Sequence, residues 1–91
     1  MSRVLFAGLG KMGFHMSGYL SKTKSINLSI FNRTSRKEKI WKKNFSAETY
    51  NFISQNKFDF VITCLKDDKA INNFFEKFIK TNNYHKNTIV I

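Results

Sequence analysis

The chain has 91 residues, 42% of them hydrophobic, which suffices for one small globular domain and excludes a complete two-domain enzyme. Sixteen Lys and Arg against six Asp and Glu give a net charge of +10, which attracts phosphorylated ligands, nucleic acid or acidic membranes without choosing among them. No apolar run approaches the roughly 18 residues of a membrane span, and a single cysteine, Cys64, offers neither a disulfide nor a metal site and favours a reducing compartment, the cytoplasm.

The first part of the chain predicts a strand, a helix and a second strand. Residues 3–7 form a short apolar run ending in glycine, which is typical of a strand buried on both faces. From residue 11 to about residue 22, apolar side chains recur at i, i+4, i+7 and i+8, which predicts a helix with one buried face. Residues 27–31 predict the next strand. The expected buried helix face consists of Met12, Met16, Tyr19 and Leu20.

A capping signal precedes the next predicted helix. Ser35 and Glu38 have the spacing of a capping box, in which Ser35 accepts from the backbone amide near Glu38 and Glu38 reaches back. A helix from residue 36 to about residue 43 is expected to follow and to bury Ile40 and Trp41.

The second half of the chain continues the alternation. Residues 45–55 favour a turn or short strand near Phe45 and then a helix that carries Tyr50, Phe52 and Ile53. Residues 58–65 predict a strand, Asp67 or Asp68 caps the next helix, and residues 88–91 begin a last strand. That helix is expected to bury an apolar stripe of Ile71, Phe74, Phe75, Phe78 and Ile79.

Strands that alternate with helices of this length imply right-handed crossovers and a parallel sheet. The predicted fold class is therefore α/β, a parallel sheet with helices on both faces. Because the chain stops inside an apolar strand, we expect a sheet that is incomplete at the C-terminus, with an open edge that favours marginal stability or self-association. The expected origin is a truncated product or gene fragment.

The glycines of the first predicted turn carry the strongest functional signal. Gly8-Leu9-Gly10-Lys11-Met12-Gly13 is a G-x-G-x-x-G that follows a strand and opens a helix. Gly8 permits the tight turn, Gly10 leaves no Cβ between backbone and pyrophosphate, and Gly13 lets the helix pack closely. The helix N-terminus offers free amides to phosphates. The motif predicts a Rossmann-type dinucleotide site, and a purely structural glycine turn is the alternative.

The end of the second predicted strand distinguishes NADP from NAD. NAD-specific sites place an Asp or Glu there for the ribose 2′-hydroxyl, whereas this chain has Asn32-Arg33-Thr34. Arg33 can make planar, charge-assisted hydrogen bonds to a 2′-phosphate, with Thr34, Ser35, Arg36 or Lys37 within reach. The prediction is NADP(H), and the alternative is a polar turn followed by a capping box.

The stretch from residue 8 to residue 20 resembles the N-terminal signature of the β-hydroxyacid dehydrogenases, Gly-Leu-Gly-x-Met-Gly-x-x-Met-Ala-x-Asn-Leu. This family includes 3-hydroxyisobutyrate dehydrogenase, tartronate semialdehyde reductase and, more distantly, 6-phosphogluconate dehydrogenase. The likeness extends to Asn32-Arg33-Thr34 and to Val61-Ile62-Thr63-Cys64-Leu65, which corresponds to the family's strand beside the cofactor. It spans nearly the whole chain.

The resemblance implies a cofactor that lies along these three landmarks. Ser17 and Tyr19 stand where the family has Ala and Asn, and Lys66 replaces the Pro that follows Leu65. The expected cofactor-binding residues are Gly8, Leu9, Gly10, Lys11, Met12, Gly13, Asn32, Arg33, Thr34, Cys64, Leu65 and Lys66.

The resemblance also implies that the catalytic machinery lies elsewhere. The family's Asp-x-Ser-Thr substrate segment and its catalytic Lys, which belongs to a helical C-terminal domain, fall beyond Ile91, so the chain is assigned no catalytic residue and no metal. His15 and His85 are expected to be surface histidines, the first on the exposed side of a helix and the second in a polar connection without an acid–base partner.

Residues 1–91 are thus predicted to be the NADP-binding portion of an oxidoreductase that transfers a hydride between NADP and a small β-hydroxy acid or semialdehyde. The chain alone is expected to be inactive, to meet that substrate only in a full-length form, and to bind neither nucleic acid nor membrane. Two alternatives stay open: a non-catalytic NADP-binding module, and a basic nucleic-acid-binding domain, which the scattered cations disfavour.

Overall fold

A computed structural model describes residues 1–91 as an alternation of strands and helices. The elements are β1 (Ser2–Ala7), α1 (Lys11–Ser21), β2 (Ile26–Phe31), α2 (Ser35–Lys42), β3 (Glu48–Thr49), β4 (Phe58–Thr63), α3 (Asp68–Ile79) and β5 (Tyr84–Val90). The strands form one sheet in the order β3-β2-β1-β4-β5, and every neighbouring pair is parallel. The predicted α/β class with a parallel sheet is confirmed.

Apolar side chains cover both faces of the sheet because neighbouring residues of a strand point to opposite sides. Val4 and Phe6 of β1 belong to a buried cluster that includes Trp41 of α2. Leu5 and Ala7 belong to the cluster on the other face, where α3 contributes its buried aromatic side chains. β1 is therefore the centre of two cores, and its carboxyl end is held from both sides.

The expected buried face of α1 is wrong. Met12 is 71% exposed and Tyr19 is 81% exposed, whereas the buried residues of the helix are Gly13, Ser17 and Gly18. The physical reason is close packing, since the ring of Phe45 occupies the space that a Cβ on Gly18 would need. The buried positions of α1 therefore hold small residues, whereas Phe14 and Leu20 are partly buried against the same core cluster.

Ser17 joins α1 to α2 through a buried hydrogen bond. Its hydroxyl accepts from the indole Nε1–H of Trp41 at 2.9 Å and donates to the carbonyl oxygen of Gly13 at 2.6 Å. Both Ser17 and Trp41 are fully buried. The hydroxyl gives the buried indole N–H its partner, so Ser17 stabilises the contact between the two helices.

The predicted start of α2 is also wrong. Thr34 is the N-cap residue, and Ser35 already lies within the helix. Glu38 does reach back, but its carboxylate accepts from the backbone N–H of Asn32 at 2.9 Å, so the two residues do not form a capping box. Trp41 is buried as expected, whereas Ile40 is 45% exposed.

The connection from β3 to β4 contains no helix, contrary to the expectation for residues 45–55. Tyr50 is buried and donates its hydroxyl to Asn83 Oδ1 at 2.7 Å, and burial raises the pKa of this tyrosine. The Asn83 amide donates in turn to the carbonyl oxygens of Ser54 and Asn56 at 2.6 and 2.7 Å. These bonds satisfy backbone groups of the connection that a helix would otherwise pair.

The second half otherwise follows the prediction with shifted limits. Asp67 caps α3, because its Oδ1 accepts from the backbone N–H of Ala70 at 2.9 Å. Phe74 and Phe78 are buried, whereas Ile79 is 62% exposed. β4 ends at Thr63, before the expected residue 65, and β5 begins well before the expected residue 88. β5 is an edge strand whose last apolar residues are exposed.

His85 has a carboxylate partner, which corrects the expectation of an unpaired surface histidine. Its Nε2 lies 3.0 Å from Asp59 Oδ1, and its Nδ1 accepts from the backbone N–H of Asn87. Asp59 Oδ2 also accepts from the backbone N–H of Arg3 at 2.9 Å. This backbone bond and the His85 contact lower the pKa of Asp59. The cluster links β1, β4 and β5 near their amino ends.

None of the helices combines the length and the apolar character that crossing a bilayer requires.

Replacement of Ser17 by alanine tests the helix–helix bond. Ser17→Ala leaves the buried indole N–H of Trp41 without an acceptor, so we expect a loss of about 1–3 kcal/mol in the free energy of unfolding, measured in urea. The matched control is Ser21→Ala, which removes a hydroxyl bonded only to the backbone of its own helix and is expected to cost less than about 0.5 kcal/mol. Equal losses in the two variants would contradict the assignment.

The pH dependence of stability tests the Asp59 cluster. The pKa of Asp59 is lower in the folded state than in the unfolded chain. The charged carboxylate therefore stabilises the fold at pH values above the ordinary carboxylate pKa, and this contribution is lost as the pH falls through the folded-state pKa. Asp59→Asn keeps an acceptor for Arg3 but does not titrate. We expect the urea midpoint of the natural chain to exceed that of the variant near pH 6 and to approach it near about pH 3. A constant difference over that range would exclude the mechanism.

Candidate cofactor-binding site

The turn between β1 and α1 depends on glycine at its first position. Gly8 has a φ of +113°, a region that side-chain-bearing residues rarely adopt, and a Cβ there would collide with the backbone carbonyl of Cys64. Its N–H donates to the carbonyl oxygen of Phe31 at 2.8 Å. The turn is thereby held against the ends of β2 and β4.

Gly10 leaves the entrance to α1 open. It is the N-cap residue and has no side chain to occupy the first-turn amides, and a Cβ added to it would meet nothing within 4 Å. The first turn of α1 contains no acidic residue. The positive end of the helix therefore faces open space in which an anion can approach the backbone closely.

Gly13 brings α1 into contact with the turn beneath it. A Cβ at this position would overlap the carbonyl oxygen of Gly8 and lie 3.3 Å from the Cβ of Cys64. Any larger residue would push the helix away from the strand ends. The roles predicted for the three glycines thus correspond to a tight turn, an open approach and a close helix contact.

Asn32 connects the glycine turn to the end of β2. Its side-chain oxygen accepts from the backbone N–H of Leu9 at 2.9 Å, and its amide nitrogen donates to Thr34 Oγ1 at 3.0 Å and to the Thr34 carbonyl at 3.2 Å. Its own N–H donates to Glu38. Asn32 therefore fixes the turn relative to the loop that carries Arg33.

A cavity of about 670 Å³ lies at the carboxyl ends of β1, β2 and β4. Such a crevice outside the strand ends is where ligands bind in open parallel sheets. It brings together many of the predicted cofactor residues: Gly10, Asn32, Arg33, Thr34, Cys64, Leu65 and Lys66.

The remaining predicted residues surround this cavity or lie apart from it. Leu9 and Lys11 line an adjacent depression of about 450 Å³, between α1 and α2. Gly8 and Gly13 form the turn itself and are buried. Met12 is exposed and lines neither space. Cys64 is half-buried beneath the turn.

Positive side chains dominate the cavity wall. Arg33, Lys37, Lys66 and Lys77 all line it and are exposed, against one carboxylate, Glu76. Together with the open helix N-terminus, these groups supply hydrogen-bond donors and positive charge to a ligand with several phosphates. Neither histidine lines this cavity.

Sequence analysis missed the wall that α3 contributes. Ala70, Asn73, Phe74 and Lys77 line the cavity and have the i, i+3, i+4, i+7 spacing of one helix face. The signal was present in the sequence, because this helix directly follows the strand end assigned to the cofactor. The prediction for this helix rested on its phenylalanine stripe and did not include the polar residues beside it.

A parallel sheet of this order, with a glycine turn at the N-terminus of α1 and a cationic crevice at the strand ends, defines a Rossmann-type dinucleotide-binding domain. Residues 3–91 match the family described as the NAD binding domain of 6-phosphogluconate dehydrogenase. The chain belongs to this family.

Two individual proteins are similar to the chain, one in sequence and one in fold. The chain is 37% identical over 71 residues to an uncharacterized oxidoreductase of Shewanella frigidimarina, an alignment that covers 75% of this chain and 24% of that protein. Its fold is similar to a crystal structure from Bacteroides fragilis described as an NADP oxidoreductase, with a TM-score of 0.76 and 14% identity over 98% of this chain and 34% of the other. The chain thus spans about a quarter and a third of the lengths of these two proteins.

Alanine substitutions test whether Gly13 is required for folding and Gly10 for ligand access. Gly13→Ala places a Cβ on the Gly8 carbonyl, so we expect a loss of about 3 kcal/mol in the free energy of unfolding. Gly10→Ala adds a methyl group to open space and is expected to change stability by less than about 1 kcal/mol while weakening dinucleotide binding. Urea unfolding and a dinucleotide titration measure the two effects. Similar stability losses in both variants would contradict this division of roles.

Proposed function

We propose that residues 1–91 form the NADP(H)-binding domain of an oxidoreductase that transfers a hydride between NADP and a small β-hydroxy acid or the corresponding semialdehyde. The observation that carries the cofactor choice is Arg33, which is exposed on the cavity wall directly after β2, where an NAD-specific site would have a carboxylate nearby. The glycine signature and the landmarks that resemble the β-hydroxyacid dehydrogenases support the substrate class.

The charges around the end of β2 favour a 2′-phosphate over a 2′-hydroxyl. Arg33 and Lys37 both line the cavity, and Lys37 lies in the first turn of α2. Glu38, the carboxylate closest in sequence, accepts from the N–H of Asn32 and does not line the cavity. A phosphate group at this position would meet two cations and no repelling carboxylate from this loop.

The chain's own residues bind and orient the cofactor. The amides at the start of α1 would hold the pyrophosphate, Arg33 and Lys37 would hold the 2′-phosphate, and Leu65 and Lys66 would contact another part of the dinucleotide. The bound nicotinamide supplies the hydride chemistry, whereas the hydroxy acid and the catalytic Lys belong to a full-length form. The proposal includes a cytoplasmic location and self-association through the exposed edge of β5.

Titration with NADPH and NADH tests the cofactor choice, using energy transfer from Trp41 to the reduced nicotinamide. We expect NADPH to bind more tightly, and Arg33→Ala to weaken NADPH about 10- to 100-fold with little effect on NADH, since it removes a charge-assisted hydrogen bond to the 2′-phosphate. The matched control is Arg3→Ala, which removes the same charge from an exposed position at the amino end of β1, outside the cavity. Equal effects of the two substitutions, or tighter binding of NADH, would overturn the proposal.

A further inference from the structure

We propose that Asn73 of α3 recognises the adenine base of the dinucleotide, with Phe31 as the aromatic side chain against which the ring packs. This inference rests on the proposed function and names a base-specific contact within the same cavity. It assigns a role in specificity to a helix that contains none of the predicted cofactor residues.

The position of Asn73 follows from the geometry of α3. Asn73 lies on the same helix face as Ala70 and Lys77, and all three line the cavity opposite the loop that carries Arg33. A ligand whose 2′-phosphate contacts Arg33 has its ribose and base within the same cavity. The exposed side chain of Asn73 is therefore available to the base.

Aromatic side chains form an apolar floor beneath this space. Phe31 is half-buried and lines the cavity, and its ring centroid lies 5.4 Å from that of Phe74, which is buried and supports it. Phe52 packs against both rings at 5.2 and 5.7 Å, which holds them in place from below. A rigid π surface beside a phosphate-binding site suits a planar purine, because stacking on aromatic rings does not require matching hydrogen bonds.

Among the polar side chains of the cavity wall, Asn73 has the donor and acceptor that suit the adenine base. A carboxamide offers one acceptor and one donor side by side, which match the N6 amino group and N7 of adenine. The neighbouring Glu76 only accepts and Lys77 only donates. The other cavity amide, Asn32, already pairs with Leu9 and Thr34. Asn73 is thus the cavity amide that remains available for a two-bond contact.

The test compares NADPH with its hypoxanthine analogue, in which an oxygen replaces the N6 amino group. The natural chain is expected to bind NADPH about tenfold more tightly than the analogue, because the analogue loses the bond to the Asn73 oxygen. Asn73→Ala is expected to weaken NADPH about tenfold and to abolish the preference. The matched control, Asn72→Ala, alters an exposed neighbour outside the cavity and leaves both affinities unchanged.

The outcomes separate this inference from the proposed function. If the natural chain binds NADPH with an Arg33-dependent affinity but does not distinguish the analogue, or if Asn73→Ala keeps the preference, the adenine contact is wrong and the proposed function stands. If neither dinucleotide binds, both fail. Should Asn73→Ala not fold, Asn73→Asp decides, since it keeps the acceptor for N6 and removes the donor to N7; unchanged NADPH affinity in that variant overturns the inference.

Discussion

The contact between α1 and the glycine turn is the constraint on which the rest of the structure depends. Gly13 lies directly against the carbonyl of Gly8, and this close approach places the open end of the helix above the carboxyl end of β1. The same approach allows only small residues on the inner face of α1, where Ser17 and Gly18 are buried. The position of α1, the open space at its N-terminus and the small residues at its buried positions therefore follow from one steric requirement.

Two side-chain hydrogen bonds connect α1 and the glycine turn to α2 and the loop that precedes it. Ser17 binds the indole of Trp41 and so connects α1 to α2, while Asn32 binds the amide of Leu9 and connects the glycine turn to the loop that carries Arg33. Both measure 2.9 Å and are wholly or partly buried, so they resist relative movement of the two helices and of the two loops. The glycine turn and the loop that carries Arg33 are therefore parts of one preorganised surface.

The sequence predicts those features that depend on local spacing. The glycine motif, the alternation that implies a parallel sheet and an aspartate cap at Asp67 or Asp68 are local patterns, and the structure contains each of them, with Asp67 as the cap. The buried face of α1 could not be predicted because apolar periodicity points to large side chains, whereas close packing requires small ones. Residues 45–55 could not be predicted because Tyr50 is held by Asn83, 33 residues away, through a bond that no local pattern reveals. The contribution of α3 to the cavity required knowledge of which helix face borders the strand ends.

The net charge of +10 acquires a specific meaning only through this geometry. The one contact within salt-bridge distance joins the His85 ring to Asp59, so no lysine or arginine side chain has a carboxylate within 4.0 Å. Charges separated by more than about 8 Å are largely screened at physiological ionic strength, and most of the scattered lysines therefore add little to the binding of any one ligand. Arg33, Lys37, Lys66 and Lys77 differ because they surround a single cavity. Their convergence on one space, rather than the composition of the chain, makes the domain suited to a ligand with several phosphates.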